Sequence, residues 1–189
     1  MEIFTDGRDG KGYKTIRIGN QTWLAENLAF IPRVSPAVSQ GGIWVYGYDG
    51  TDPAEARTTP NYSVYGCLYD LETALSAVPD GWHLPTQEEW RTLAEFFGSS
   101  ADDGNRMKQP GLWEQDSGAT NTSGFTALPA GKRTPMGTFQ GLGSGTSFWS
   151  TTNFAGDDFW QFYLEGVSPY VRSNPTSKKW GFSVRCVRG

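Results

Sequence analysis

Glycine and proline constrain this chain more than any other feature. With 24 Gly and 11 Pro they make up nearly a fifth of its 189 residues. Glycine raises the entropy cost of helix interiors, and proline removes an N–H and clashes with the preceding turn. A helical bundle is therefore excluded, and short elements joined by long loops are expected. The aromatics work against disorder: 8 Trp, 8 Tyr and 11 Phe reach 14% of the chain, enough apolar surface to offset ordering entropy. A chain of this length buries a full core, and residues 1–189 are expected to form a single domain. No apolar run approaches the roughly 20 residues that a membrane-spanning helix needs.

The net charge of -4 gives no support to nucleic-acid binding. One local asymmetry exists. From Gly166 to Gly189 no acidic residue occurs, while Arg172, Lys178, Lys179, Arg185 and Arg188 are basic. Solvated charges at a strand end explain such a run better than a phosphate-binding patch does. The two cysteines, Cys67 and Cys186, are too few for a disulfide scaffold or a four-cysteine zinc site, and the single histidine, His83, excludes multi-histidine metal sites within one chain. The start, Met1 to Asp6, has neither the basic residues nor the apolar stretch of a signal peptide. It suits a cytoplasmic protein or an exported one whose signal is absent from this chain.

Local patterns place the elements. Tyr13 to Ile18 alternates as a strand, Gly19-Asn20 is a turn signal, and Gln21 to Leu24 returns as a second strand. Residues 31–62 mix prolines, glycines and polar residues and read as a long irregular segment with one short strand at Ile43 to Tyr46. Asp70 to Val78 reads as a helix with Leu71, Ala74, Leu75 and Val78 on one face. Thr86 and Glu89 have capping-box spacing, and Trp90, Leu93, Ala94 and Phe97 follow as a helical stripe that Gly98 stops. From Gly124 onward strands are expected at Phe125 to Leu128, Thr146 to Thr152, Phe159 to Glu165, Pro169 to Arg172 and Gly181 to Val187. In the last, Phe182, Val184 and Cys186 share a face that should be buried, with Ser183, Arg185 and Val187 on the other. The order gives an α+β class: two helices beside a twisted, mostly antiparallel sheet with long loops.

Four blocks carry a resemblance. They are Thr5 to Gly10 with Ile18-Gly19-Asn20-Gln21-Thr22-Trp23-Leu24-Ala25-Glu26-Asn27-Leu28; Tyr65-Gly66-Cys67-Leu68-Tyr69 leading to Gly81-Trp82-His83-Leu84-Pro85-Thr86; Gly124-Phe125-Thr126-Ala127-Leu128-Pro129-Ala130-Gly131; and Phe148-Trp149-Ser150-Thr151-Thr152 with Gly181 to Arg188. In this order they resemble the Fibrobacter succinogenes major paralogous domain. The resemblance implies a C-type-lectin-like fold related to the formylglycine-generating-enzyme branch. It also implies a Bacteroidetes-type exported protein at the cell surface or in the outer membrane as a lipoprotein, meeting a membrane only through a trimmed lipid anchor. The family commonly carries a cysteine before the Pro-x-Gly-Trp turn; here that position is Val78. Cys67 and Cys186 are then either a bridge closing a loop of about 120 residues, worth a few kcal/mol, or two buried free thiols.

Catalysis finds little support. His83 lies in the Gly-Trp-His-Leu-Pro turn, and no Gly-x-Ser-x-Gly elbow occurs. The close cysteine pair of formylglycine-generating enzymes is absent. Asp102-Asp103-Gly104-Asn105 and Gly156-Asp157-Asp158 carry the oxygen ligands calcium takes, but acidic turns are more often simply solvated, so no cofactor is expected. The better signal is the aromatic-rich stretch from Phe148 to Trp180. If Trp160, Phe162 and Leu164 point inward, Gln161 and Tyr163 point outward. With Asn153, Asp157, Ser168, Tyr170, Arg172, Asn174 and Trp180 they form a candidate ligand face, rich in residues that give contact area and adaptable hydrogen bonds. The resemblance adds that lectin-like folds bind ligand on this half, and that some relatives are targets of diversity-generating retroelements that rewrite it. The expected function is a non-catalytic, surface-displayed module that binds a protein or a glycan through residues 153–180. The alternatives are an assembly component of a cell-surface structure and, last, an enzyme of the formylglycine-generating type.

Overall fold

A hairpin opens the fold, because Gly19 supplies the positive φ (62°) that its tight turn requires. In this computed structural model, which describes residues 2–97 and 102–188, strands β1 (Glu2–Thr5), β2 (Gly12–Ile18) and β3 (Gln21–Leu24) form an antiparallel meander. The last strand, β11 (Val187–Arg188), completes that sheet on the far side of β3, giving the order β1-β2-β3-β11. A two-stranded ladder pairs β4 (Ile43–Trp44) with β5 (Leu68–Tyr69).

Residues 31–62 hold more structure than expected. Besides β4 they contain α1 (Pro53–Arg57) and run into α2 (Pro60–Tyr65). Asp52 and Thr59 cap these helices, and each is followed by proline at the first helical position, where no N–H is needed. Helix α3 (Leu71–Ala77) is capped by Asp70. Helix α4 (Gln87–Phe96) starts with the expected capping box, in which Thr86 and Glu89 bond reciprocally. Gly98, expected to end it, lies outside the described residues. A fifth short helix, α5 (Asp103–Met107), occupies the segment read from sequence as an acidic loop.

The second half forms a five-stranded sheet in the order β10-β9-β8-β6-β7. Its strands are β6 (Ala130–Arg133), β7 (Phe139–Leu142), β8 (Gly145–Ala155), β9 (Asp158–Glu165) and β10 (Arg172–Ser177). β8 and β9 make a long antiparallel hairpin, while β6 touches β8 in parallel at Gly131 and Thr146. Two expectations are corrected here. Phe125 to Leu128 is no strand: Thr126 sits at φ 59°, and only Ala127 makes a bridge, to Lys108. The edge strand is Arg172–Ser177, not Pro169 to Arg172. Pro169 and Tyr170 instead pack over α5, where their backbone would lie within 2.9 Å of a Cβ on Gly104.

Two apolar clusters hold these layers. One gathers Tyr13, Leu24, Tyr69, Trp149, Phe182 and Cys186; the other gathers Trp23, Trp90, Phe125, Phe148, Phe162 and Leu164. Trp90 pins α4 across the sheet. Its ring stacks on Phe162 at 5.3 Å and 17°, lies 4.8 Å from Trp23, and its Nε1 donates to the Trp149 carbonyl at 3.1 Å.

Residues 181–187 correct a further expectation. The segment is buried on both sides, not one. Gly181 bridges Arg133, Phe182 bridges Tyr69, the Ser183 N–H donates to Ser147, and Val187 bridges His83 and pairs with Trp23, so the segment ties all three sheets together. Arg185 is fully buried and has no carboxylate partner among the described residues. Its guanidinium donates to Asn27 Oδ1 and to the carbonyls of Leu24, Phe125 and Thr126, and it lies 4.5 Å over the Phe125 ring. Burial pushes its pKa down to about 9, yet it remains the charged partner of four acceptors at neutral pH. The basic run is thus not uniformly solvated. Lys178 pairs with Glu72 and Asp157, and Arg188 lies 4.8 Å over the Trp82 ring.

Candidate functional site

Strand alternation on β9 sends Phe162 and Leu164 into the second apolar cluster and leaves Gln161 and Tyr163 on the opposite face. There they meet the outer hairpin β6–β7. Gly131, at φ 67°, lets that hairpin close tightly: a Cβ on it would fall 2.6 Å from the Gln140 carbonyl oxygen and 2.6 Å from the Tyr46 ring. The loop through Glu114 and Gln115 closes the other side. It is held by a bond from the Glu114 N–H to the Gly143 carbonyl and by close approach of Gly166 to Gln115. The result is a cleft of about 470 Å³ floored by β6, β8 and β9.

Most of its polar side chains are uncharged. Gln115, Gln140, Gln161 and Asn174 bring carboxamides, Ser144, Thr146 and Ser147 bring hydroxyls, and Tyr163 is its aromatic ring. Glu114, Glu165 and Lys132 also border it. Gln161 is 8% exposed. Its Nε2 donates to Asn174 Oδ1 at 2.9 Å, across the register pair that joins β9 to β10, while its Oε1 is buried without a hydrogen-bond partner among the described residues. Thr146, 3% exposed, likewise has an unpartnered hydroxyl. Buried polar groups are normally satisfied, so two such atoms on residues lining one cleft set it apart from the rest of the described surface.

The expected ligand face is divided by the structure. Gln161, Tyr163 and Asn174 line the cleft. Arg172 stands beside it, opposite Tyr163 in register and 3.9 Å from Glu165. Ser168 is buried, and its carbonyl accepts from the Lys108 amine at 2.9 Å. That amine also reaches Ser117 Oγ and the carbonyls of Glu165 and Gly166, fixing the 165–168 turn at the cleft edge; burial depresses its pKa. Tyr170 is exposed on the loop over α5. Asn153 ties the β8–β9 turn through the Gly156 and Asp158 carbonyls, and Asp157 pairs there with Lys178. Trp180 is half-buried against the first apolar cluster, stacked on Phe182 with Lys132 5.1 Å above it.

Glu114, Gln115, Lys132, Gln140, Ser144, Ser147 and Glu165 were not singled out from sequence. Most lie in glycine-rich or loop segments that only the β6–β7 hairpin and the Gly143 contact bring to the sheet.

The remaining candidates have local work. His83 Nε2 lies 2.6 Å from Glu89 at the start of α4 and is not a cleft residue. Asp103 accepts from the N–H groups of Gly104 and Val171, so that carboxylate ties α5 to the β10 approach. Among the described residues no group of three His, Cys, Asp or Glu converges on one point. Cys67 and Cys186 are buried free thiols, not a bridge, and burial raises each pKa to about 12.

No curated protein and no solved structure matches this chain. The chain does match a family model, the Fibrobacter succinogenes major domain, over residues 16–188, and it belongs to that family.

Proposed function

We propose that this chain is a non-catalytic binding module of C-type-lectin-like fold, exported and displayed at the cell surface, that takes a protein or glycan ligand in the cleft on β6, β8 and β9. The reading rests on one observation above the others. A cleft of about 470 Å³ is lined by carboxamides and hydroxyls and carries a buried, unpartnered carboxamide oxygen on Gln161. A volume in the range of small-ligand pockets, with a few convergent polar groups, is the ordinary form of a binding site. Catalysis is not invoked, because the residue most suited to general-base work, His83, is engaged with Glu89 outside the cleft. Calcium is not invoked either, because Asp103 and Asp157 already serve protein partners.

The test is a screen of the purified chain against surface glycans and surface proteins, followed by variants on the ligand found. Tyr163→Ala should abolish binding with the fold intact, whereas Tyr170→Ala, outside the cleft, should leave it unchanged. Retained binding in Tyr163→Ala would remove the cleft from consideration.

A further inference from the structure

Resting on the cleft as the ligand site, we infer that its ligand is a neutral sugar residue bearing adjacent hydroxyls, held by the carboxamide pair Gln161 and Asn174.

The pair sets what it can recognise. Gln161 Nε2 donates to Asn174 Oδ1 at 2.9 Å, and each carboxamide has one carbonyl oxygen and one NH2 group. Their mutual bond uses one oxygen and one N–H. Whichever way the two amides are turned, one carbonyl oxygen and one free NH2 group remain on residues paired in register on neighbouring strands. In the arrangement observed, the free oxygen is Gln161 Oε1, buried and without a partner, and the free donor is Asn174 Nδ2 on an exposed residue. The matching ligand presents a donor and an acceptor next to one another.

Three ligand chemistries compete for that pattern. An apolar group leaves Gln161 Oε1 as it stands, buried and unpaired, which is costly. A carboxylate offers acceptors only, so it pairs with the Asn174 amide but repels Gln161 Oε1. It also meets Glu114 and Glu165, whose charges Lys132 and the neighbouring Arg172 no more than balance, so the cleft offers it no net positive charge. Adjacent hydroxyls fit, since each O–H both donates and accepts. With the Gln161 carboxamide turned toward the cleft, one donates to its Oε1 while its neighbour accepts from Asn174. The surrounding Gln115, Gln140, Ser144 and Ser147 are bifunctional in the same way, and Tyr163 offers an aromatic surface for the C–H face of a ring. A peptide backbone shares the donor–acceptor pattern. The cleft, however, is floored by β6, β8 and β9, each already paired on both sides, so an extended peptide lying in it would find no free strand edge to pair with there.

The experiment is a glycan microarray carrying neutral and uronate oligosaccharides, followed by calorimetric titration of the best neutral glycan into the whole chain. Wild type should bind neutral glycans with adjacent free hydroxyls and ignore uronate ones. Gln161→Met, which keeps the side chain's length, should weaken binding at least tenfold, as should a deoxy ligand lacking either hydroxyl. Circular dichroism and melting of Gln161→Met guard against misfolding. No binding to any glycan, preference for uronates, or full affinity in Gln161→Met overturns the inference. A protein ligand lost in Tyr163→Ala but not displaced by sugars overturns it while leaving the binding-module reading standing. Ligand binding of any kind untouched by Tyr163→Ala overturns both.

Discussion

Gln161 gives a stability test that needs no ligand. Its Oε1 is buried without a partner, and an unsatisfied buried carbonyl costs roughly 1–3 kcal/mol. Gln161→Met removes that oxygen while nearly conserving volume. The substitution also loses the bond to Asn174, worth about 0.5–1.5 kcal/mol, and the loss falls at the low end because the exposed Asn174 rebonds to water. The balance is a stabilisation of about 1 kcal/mol. In a domain of this size that raises Tm by about 2–4 °C. Urea unfolding followed by tryptophan fluorescence should show a higher midpoint at unchanged slope. The sign is the informative part, since most substitutions of buried residues destabilise. A lower midpoint by 1 kcal/mol or more would mean that the folded protein satisfies Oε1, and the case for a ligand-completed site would fall with it. A rise in stability together with lost binding is the signature of a group kept for function at the expense of the fold.

The cysteines should be inert. With both thiols buried and their pKa near 12, neither Cys67 nor Cys186 should react with a disulfide reagent at pH 8 until the protein unfolds, and reductant should leave Tm unchanged. Rapid native-state labelling would contradict their placement. Glu89 sets an acid dependence. Burial alone would raise its pKa, but the Thr86 N–H at 2.8 Å and His83 at 2.6 Å outweigh this and lower it. Its stabilising contribution is therefore complete above its unfolded value of about 4.3 and is lost as pH falls through the lower folded value. Glu89→Ala should cost about 1 kcal/mol at pH 7, and the stability gap from wild type in urea unfolding should close as pH falls below about 4.3; a gap independent of pH would refute this. Gly131→Ala places a Cβ 2.6 Å from the Gln140 carbonyl at a positive φ, so it should destabilise by more than about 1 kcal/mol and weaken ligand binding as the hairpin shifts. An unchanged midpoint would show that β6–β7 yields easily.

Short-range chemistry made parts of this fold legible. The capping box of α4 and the β2–β3 turn are written in residues that touch their sequence neighbours, so spacing alone placed them. The caps of α1 and α2 were equally local, as Asp52-Pro53 and Thr59-Pro60, and a reading alert to proline at the first helical position would have found them. β10 carried no such mark. An edge strand can hold Pro175 and a polar face, because one side needs no ladder bond and little burial. Within the cleft, Gln161 and Tyr163 were visible because they alternate with core residues. Gln140 and Ser144 were not, because their place depends on a glycine conformation and a loop contact far away in sequence. Arg185 misled for a related reason. A charge on a strand suggests a solvent face, and only the convergence of Asn27, Leu24, Phe125 and Thr126 makes a buried one tenable.

Residues 181–187 bear on how the protein is made. A ribosome releases their partners first: β3, then β5 and His83, then β6 and β8. Until this segment emerges, β3 has an open edge and the acceptors around Arg185 lack their donor. Nearly the whole polypeptide must therefore be synthesised before any large part of it can reach its final packing. Until residues 181–187 emerge, such a chain is an unfinished, aromatic-rich intermediate in need of protection from aggregation.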